Sequence, residues 1–170
     1  IMQKANQIHL AAISYSLLLG QIFKLDMLRI GKNVNICNTN GEELFLPAVI
    51  KNNDCIIIIS YSGEIHNLCS LARTLKGRSV PIIAITSLGD NELKKYADVV
   101  LHISTREKLY SKIAGYSNEN SIKLILDILY SCYFNLMYDD NLARRIAISK
   151  QAEVGRESTL EIMKEDNTQS

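Results

Sequence analysis

The sequence predicts an α/β domain, a doubly wound five-stranded parallel sheet in the order 2-1-3-4-5 with helices on its faces. Three observations carry this expectation. Short β-branched apolar segments recur along the chain, longer stretches of helical periodicity separate most of them, and the strand-like runs are continuous rather than alternating, as in Cys55-Ile56-Ile57-Ile58-Ile59. A strand with no polar face is usually buried on both sides, which is how parallel sheets are covered in α/β proteins.

The expected strands are Gln7 to Ile13, Val34 to Cys37, Asp54 to Ile59 and Val80 to Thr86, with a fifth candidate at Ala97 to Ile103. Between the first two, Leu17 to Ile30 places Leu18, Ile22 and Leu25 on one face, which the periodicity assigns to the core, and Gly31 follows as a stop. A weaker helix is expected from Gly41 to Ile50, with a kink at Pro47. From Glu64 to Lys76 the apolar positions Ile65, Leu68, Cys69, Ala72 and Leu75 repeat at helical spacing, and Gly77 is placed to end the helix. After the fifth strand comes a polar loop, Ser104 to Ser117. A long apolar helix is then expected over Asn118 to Tyr138, buried on most sides, and a homodimer contact through it would supply the covering. From Gln151 onward the acidic, polar residues read as an exposed helical tail with a frayed end.

Composition excludes several classes of function. The chain has 170 residues, with 19 Lys+Arg against 18 Asp+Glu, so its formal charge is +1. That balance argues against nucleic-acid binding through bulk charge, because such domains carry a clear basic excess. At 47% hydrophobic and 22% charged, with 8 Gly and 2 Pro, the composition is globular rather than disordered or collagenous. The apolar runs are far shorter than the roughly 18 to 20 residues of a membrane span. The amino terminus, Ile1-Met2-Gln3-Lys4, lacks the features of a signal peptide and does not begin with Met, so the chain reads as a piece of a longer cytoplasmic polypeptide. Cys37, Cys55, Cys69 and Cys132 form no C-x-x-C and sit among apolar residues, which suits buried reduced thiols. His9, His66 and His102 are scattered, so neither structural zinc nor any other metal is expected.

The most informative stretch is Ile59-Ser60-Tyr61-Ser62-Gly63-Glu64. It puts two hydroxyls and a glycine in the turn between a buried strand and a helix, where first-turn N–H groups lack intrahelical partners and the helix dipole is positive. Phosphate oxygens favour such a turn. The plainer alternative is that Ser62 caps its helix and Ser60 ends its strand. A second Ser-bearing turn, Ser14-Tyr15-Ser16, follows the first strand. In the order 2-1-3-4-5, strands one and three are neighbours whose crossovers diverge, so both turns would open on one crevice. Thr86 and Ser87, after the fourth strand, form a third candidate, though a hydroxyl before the Leu88-Gly89-Asp90 turn needs no ligand.

Other chemistries lack parts. There is no G-x-G-x-x-G, no Walker loop and no G-x-S-x-G elbow. Glu64 and His66 can be drawn as an acid–base pair, but they read more simply as a dipole-favoured carboxylate and a helix-surface side chain. Glu107 and Glu119 read as solvated. No cofactor is implied.

These residues together resemble a sugar isomerase (SIS) domain, the phosphosugar-binding module, and within that group the C-terminal effector domain of RpiR-type bacterial transcription regulators. The resemblance covers residues 5 to 150 and rests on five stretches. These are Leu25 to Val34, Asp54 through Glu64 with Ser60-Tyr61-Ser62-Gly63-Glu64, Ile83 to Ser87, Ala97 to His102, and the helix around Asp127-Ile128-Leu129-Tyr130. It implies a SIS fold over residues 1–150 with a flavodoxin-like strand order, a polar tail over 151–170, and a helix-turn-helix domain that precedes the SIS domain and lies outside this chain. The implied ligand is a phosphorylated sugar or amino sugar held by Ser14, Ser16, Ser60 and Ser62; the candidate ligand-binding set adds Tyr61, Gly63, Glu64 and Thr86 and contains no catalytic residue. The implied assembly is a cytoplasmic homodimer that can pair again into a tetramer, contacting DNA only through the missing domain. The sequence departs from the family pattern where Ile65 replaces a Thr, where Ala12 and Ser14 stand at positions commonly glycine, and where Ser117-Asn118-Glu119 replaces a Ser-Arg pair. Two other readings compete: a sugar-phosphate isomerase on the same fold, and a dimerisation module with a degenerate pocket.

Overall fold

The computed structural model describes residues 1–37, 41–111, 113–155, 160 and 162. Strands β1 (Ile8–Ala11), β2 (Val34–Ile36), β3 (Cys55–Ser60), β4 (Ile82–Ser87) and β5 (Val99–Ile103) form one parallel sheet in the order β2-β1-β3-β4-β5. All five expected segments are strands, and the topology is the expected one. The helices are α1 (Tyr15–Leu28), α2 (Leu46–Val49), α3 (His66–Gly77), α4 (Tyr116–Asn135) and α5 (Tyr138–Ala152).

The Ile run of β3 shows why the strand has no polar face. Cys55, Ile57 and Ile59 pack into a core with α1 and α4, while Ile56 and Ile58 pack into a second core with α2 and α3. Every one of these side chains is at most 1% exposed. Successive residues point to opposite faces, so both helical layers draw on the same six-residue strand.

Four expectations about helices are corrected. On α1 the buried positions are Leu19, Phe23 and Met27, whereas Leu18, Ile22 and Leu25 are exposed, so the stripe assigned to the core faces outward. Gly31 does end this helix, at φ 76°, where the Lys32 N–H reaches back to the Met27 carbonyl. The weak helix of residues 41–50 divides at Phe45 into a 3-10 turn, Glu42–Leu44, and the single turn α2, which carries Pro47 in its first turn, where proline is tolerated, rather than at a kink. The long helix ends at Asn135 and a separate helix, α5, follows; on α4 only Asn118, Ile122 and Leu126 are fully buried. Of the tail expected over 151–170, residues 156–159, 161 and 163–170 lie outside the described residues. Among the described residues, Cys37, Cys55 and Cys69 are buried free thiols as expected, but Cys132 is exposed.

Candidate functional site

The parallel register of β1 with β3, running from Ile8 opposite Cys55 to Ala11 opposite Ile58, sends both strands out of the sheet at the same end. The turns Ser14–Ser16 and Ser60–Glu64 therefore leave adjacent strands side by side, at the point where the chain crosses to opposite faces. This is the position at which the strand order places a ligand crevice.

Each turn leads into a helix with an open positive end. α1 begins after Ser14 and α3 after Ile65; neither has a side-chain cap and neither carries an acidic residue in its first turn. Ser62 is not the cap of α3. Its Oγ instead accepts the Glu64 N–H at 3.2 Å, and Ser60 Oγ, buried, accepts the Gly63 N–H at 3.1 Å. The two hydroxyls shape the turn; the helix behind it has no side-chain cap, and a carboxylate stands near its start, that of Glu43, which accepts from Asn67 Nδ2 in the first turn of α3 at 2.8 Å.

The remainder of the turn is fastened to the loop after β4. The Tyr61 carbonyl accepts the Ser87 N–H, the Gly63 carbonyl accepts the Leu93 N–H at 3.0 Å and the Cys69 thiol at 3.3 Å, and Glu64 Oε1 accepts the Glu92 N–H at 2.9 Å. Burial, with Glu64 and Glu92 nearby, raises the Cys69 pKa. Any replacement of Gly63 is strained. Its φ is 68°, and a Cβ would lie 2.2 Å from the Asn91 side chain. Asn91 is held by its own bond, donating from Nδ2 to Thr86 Oγ1 at 3.1 Å. Thr86 has no exposed surface, and its hydroxyl oxygen supports Asn91 behind the turn. Sequence reasoning did not find Asn91, because its partners, Gly63 and Thr86, belong to other elements.

In the first turn Ser14 is exposed and Ser16 half-buried. Ser14 takes φ 55°, ψ −134°, a conformation that favours glycine. The commonly glycine position of the resemblance is thus a backbone requirement here, met by a serine under strain.

A third helix start lies at this end of the sheet and differs in kind. Glu107, expected to be solvated, is half-buried, and its Oε1 accepts the N–H groups of Ser117 at 2.6 Å and Asn118 at 3.2 Å, the first turn of α4. Glu119 folds back over Gly115, where a Cβ would meet its Oε1 at 2.0 Å. Two carboxylates therefore stand against the start of α4, whereas α1 and α3 carry no acidic residue in their own first turns. Ten residues separate Glu107 from Ser117, so no local capping pattern announces it. Among the described residues no group of three His, Cys, Asp or Glu side chains stands close enough to hold a metal ion, and no helix is long and apolar enough to cross a membrane.

The fold and this crevice define an α/β domain of the class that takes ligands at the carboxyl ends of a parallel sheet. The SIS domain family model matches residues 1–131, and the chain belongs to that family. A curated relative, an uncharacterised HTH-type transcriptional regulator of Thermotoga maritima, is 31% identical over 106 residues, 61% of this chain and 36% of the relative. Among solved structures, the Vibrio vulnificus NanR protein complexed with ManNAc-6P superposes with a TM-score of 0.77 at 17% identity, covering 90% of this chain and 56% of that one. The sugar isomerase domain of an RpiR transcription factor from Sphaerobacter thermophilus gives 0.73 at 14% identity, covering 89% and 80%. The chain spans about half or less of the length of the curated relatives it matches.

Proposed function

We propose that this domain is the ligand-sensing module of a bacterial transcription regulator and binds the phosphoryl group of a phosphorylated sugar or amino sugar in the crevice between the Ser14–Ser16 and Ser60–Glu64 turns. The observation that carries the reading is the pair of adjoining turns, each rich in hydroxyls and each leading to a helix start with no capping side chain and no first-turn acid. The ManNAc-6P bound by the NanR neighbour and the regulator class of the Thermotoga relative support it. DNA is read by a helix-turn-helix domain outside this chain. The module senses rather than catalyses.

The same reading includes a homodimer. Leu18, Ile22 and Leu25 on α1 and Leu124 and Ile128 on α4 are exposed apolar side chains, and α1 and α4 pack along one another. An apolar face of this kind on a regulator favours a second copy. Because α1 starts at the crevice, a ligand that prefers one dimer arrangement shifts the population toward it.

Titration calorimetry with hexose, pentose and N-acetylamino-sugar phosphates tests the site. The wild type binds at least one of them, and Ser60→Ala with Ser62→Ala weakens binding about 10- to 100-fold, as expected for charge-assisted hydrogen bonds of about 1.5 to 3 kcal/mol. Absence of binding across the panel, or turnover of any member, overturns the reading.

A further inference from the structure

The amino end of the sheet carries a small pocket that the phosphosugar reading does not use. There α1 gives way to β2 through Gly31, and α5 lays Arg144 against that corner. A Cβ on Gly31 would lie 2.7 Å from Arg144 Cδ, so glycine serves both the positive φ of the turn and the approach of the arginine. Arg144 Nη1 donates to the Ile30 carbonyl at 3.3 Å, and Lys32 Nζ donates to the Ala5 carbonyl at 3.0 Å. Both cations line a pocket of about 70 Å³.

The plainer alternative is that the two cations answer the dipole of α1. They exceed it, because a helix end carries roughly half a negative charge against two full positive ones. No carboxylate lines the pocket, and among the described residues neither Lys32 nor Arg144 forms an ion pair. Asp139 and Asp140, in the first turn of α5, are exposed and do not line it.

The remaining walls say what would fit. Tyr133 Oη has no hydrogen-bond partner among the described residues, yet it is not sealed from solvent as His9 Nδ1 and Asn118 Oδ1 are. Burial raises the Tyr133 pKa, and the nearby Arg144 guanidinium opposes the rise. Gln3 adds a side-chain amide. Surplus positive charge, N–H and O–H donors and no acid select an oxyanion, the group that guanidinium geometry suits. With a water occupying about 30 Å³ in the liquid, there is room for one charged head group and none for a sugar. Leu136 and Met137 line the pocket yet stay 56% and 51% exposed, so apolar surface extends from it to the outside.

We propose that this pocket is a second ligand site, taking a small organic anion whose carboxylate or phosphate head is held by Lys32, Arg144 and Tyr133 and whose short apolar body lies on Leu136 and Met137. The site is independent of the phosphosugar reading, because it opens at the other end of the sheet.

The test follows the Arg144 Nε–Hε cross-peak in 1H–15N spectra of the whole chain at constant ionic strength. The probes are hexanoate, hexyl phosphate and, as a neutral control, 1-hexanol. The expected result is a saturable shift with at least one anion and none with 1-hexanol, and the anion that acts identifies the head group. Tyr133 is half-buried and its hydroxyl supports no other residue, so Tyr133→Phe keeps the fold. It weakens binding about 10- to 100-fold, as loss of a charge-assisted hydrogen bond requires. Ser60→Ala with Ser62→Ala leaves the shift unchanged, even if those substitutions abolish binding of every sugar phosphate. No saturable shift with either anion, an equal shift with 1-hexanol, an affinity unchanged in Tyr133→Phe, or loss of the shift in the double serine variant overturns the proposal.

Discussion

Tyr61 and Glu107 are joined through a single phenol. Tyr61 Oη donates to the Glu107 carbonyl and accepts the Glu107 N–H at 3.2 Å, linking the turn after β3 to the loop after β5. The Glu107 carboxylate in turn caps α4, so the candidate site and the helix bearing the apolar face share one residue.

That relationship predicts the cost of removing it. Glu107→Ala withdraws the acceptor from two first-turn N–H groups of α4 and should lower stability by about 1 to 2 kcal/mol, within the range of lost helix caps. Glu107→Gln, which keeps an acceptor oxygen, should lose less. Urea denaturation followed by far-UV circular dichroism measures both, and equal midpoints for wild type and Glu107→Ala would show that the cap contributes nothing.

Ser14 separates strain from function. Its positive φ costs about 1 to 3 kcal/mol for a residue with a Cβ, and glycine removes most of this after its own entropic cost of about 0.5 to 1 kcal/mol. Ser14→Gly should therefore stabilise the domain by about 1 kcal/mol. If the hydroxyl holds a phosphate, the same variant weakens phosphosugar binding, and calorimetry reads this opposite change in sign directly.

His9 gives stability a pH dependence near neutrality. Burial lowers its pKa below the ordinary value, outweighing the hydrogen bond and charge of Asp54, which act the other way. The nearby charged groups are Asp54 beside Nε2 and, lining a cavity with His9, Lys51 and Glu42. Above about pH 6.5 the ring is neutral in both folded and unfolded chains, so it contributes no slope. Below that, the unfolded chain takes up the proton first, and stability falls by up to about 1.4 kcal/mol per pH unit until the folded-state pKa is passed. His9→Asn should flatten this limb. At lower pH a second loss follows from Asp98, which burial raises but the Lys76 ammonium and the Ile82 N–H hold below the ordinary value. Urea midpoints between pH 2 and 8 distinguish the two, with the first limb alone abolished in the variant.

The cysteines report on assembly. Burial pushes the Cys37 thiol up to about 12 and the Cys55 thiol up to about 11, so both should resist thiol reagents in the native protein. Cys132 is exposed and lies four residues beyond Ile128, on the same side of α4. Native protein should label at this one position. In the proposed dimer, labelling slows as concentration rises, and Ile22→Glu removes the slowing. A rate independent of concentration would place Cys132 outside any interface.

The sheet was legible because the Ile runs of β3 and β4 leave no polar face, and their burial on both sides is a direct outcome of parallel pairing. The Ser60–Glu64 turn was legible because serine and glycine cluster where a strand hands over to a helix. The face of α1 was not. Leu18, Ile22 and Leu25 form an apolar stripe at helical spacing, and so do Leu19, Phe23 and Met27. Periodicity cannot choose between two apolar faces; the choice comes from the sheet and α4 packing against one of them. Asn91 and Glu107 escaped for a related reason, since each acts on a partner brought near only by the fold. The pair of His9 and Asp54 spans 45 residues and lies beyond any reading of a single chain position.

Fastening the Ser60–Glu64 turn to its neighbours has a further effect. In the proposed phosphosugar site, a cradle already fastened to Leu93, Ser87 and Glu92 would cost a ligand little ordering entropy, so its grip on a phosphoryl group would depend little on what the phosphoryl is attached to. Discrimination among sugars would then belong to the opposite rim, where Ser14 is exposed and strained. Substitutions there can retune which molecule is recognised while the anchoring half stays fixed.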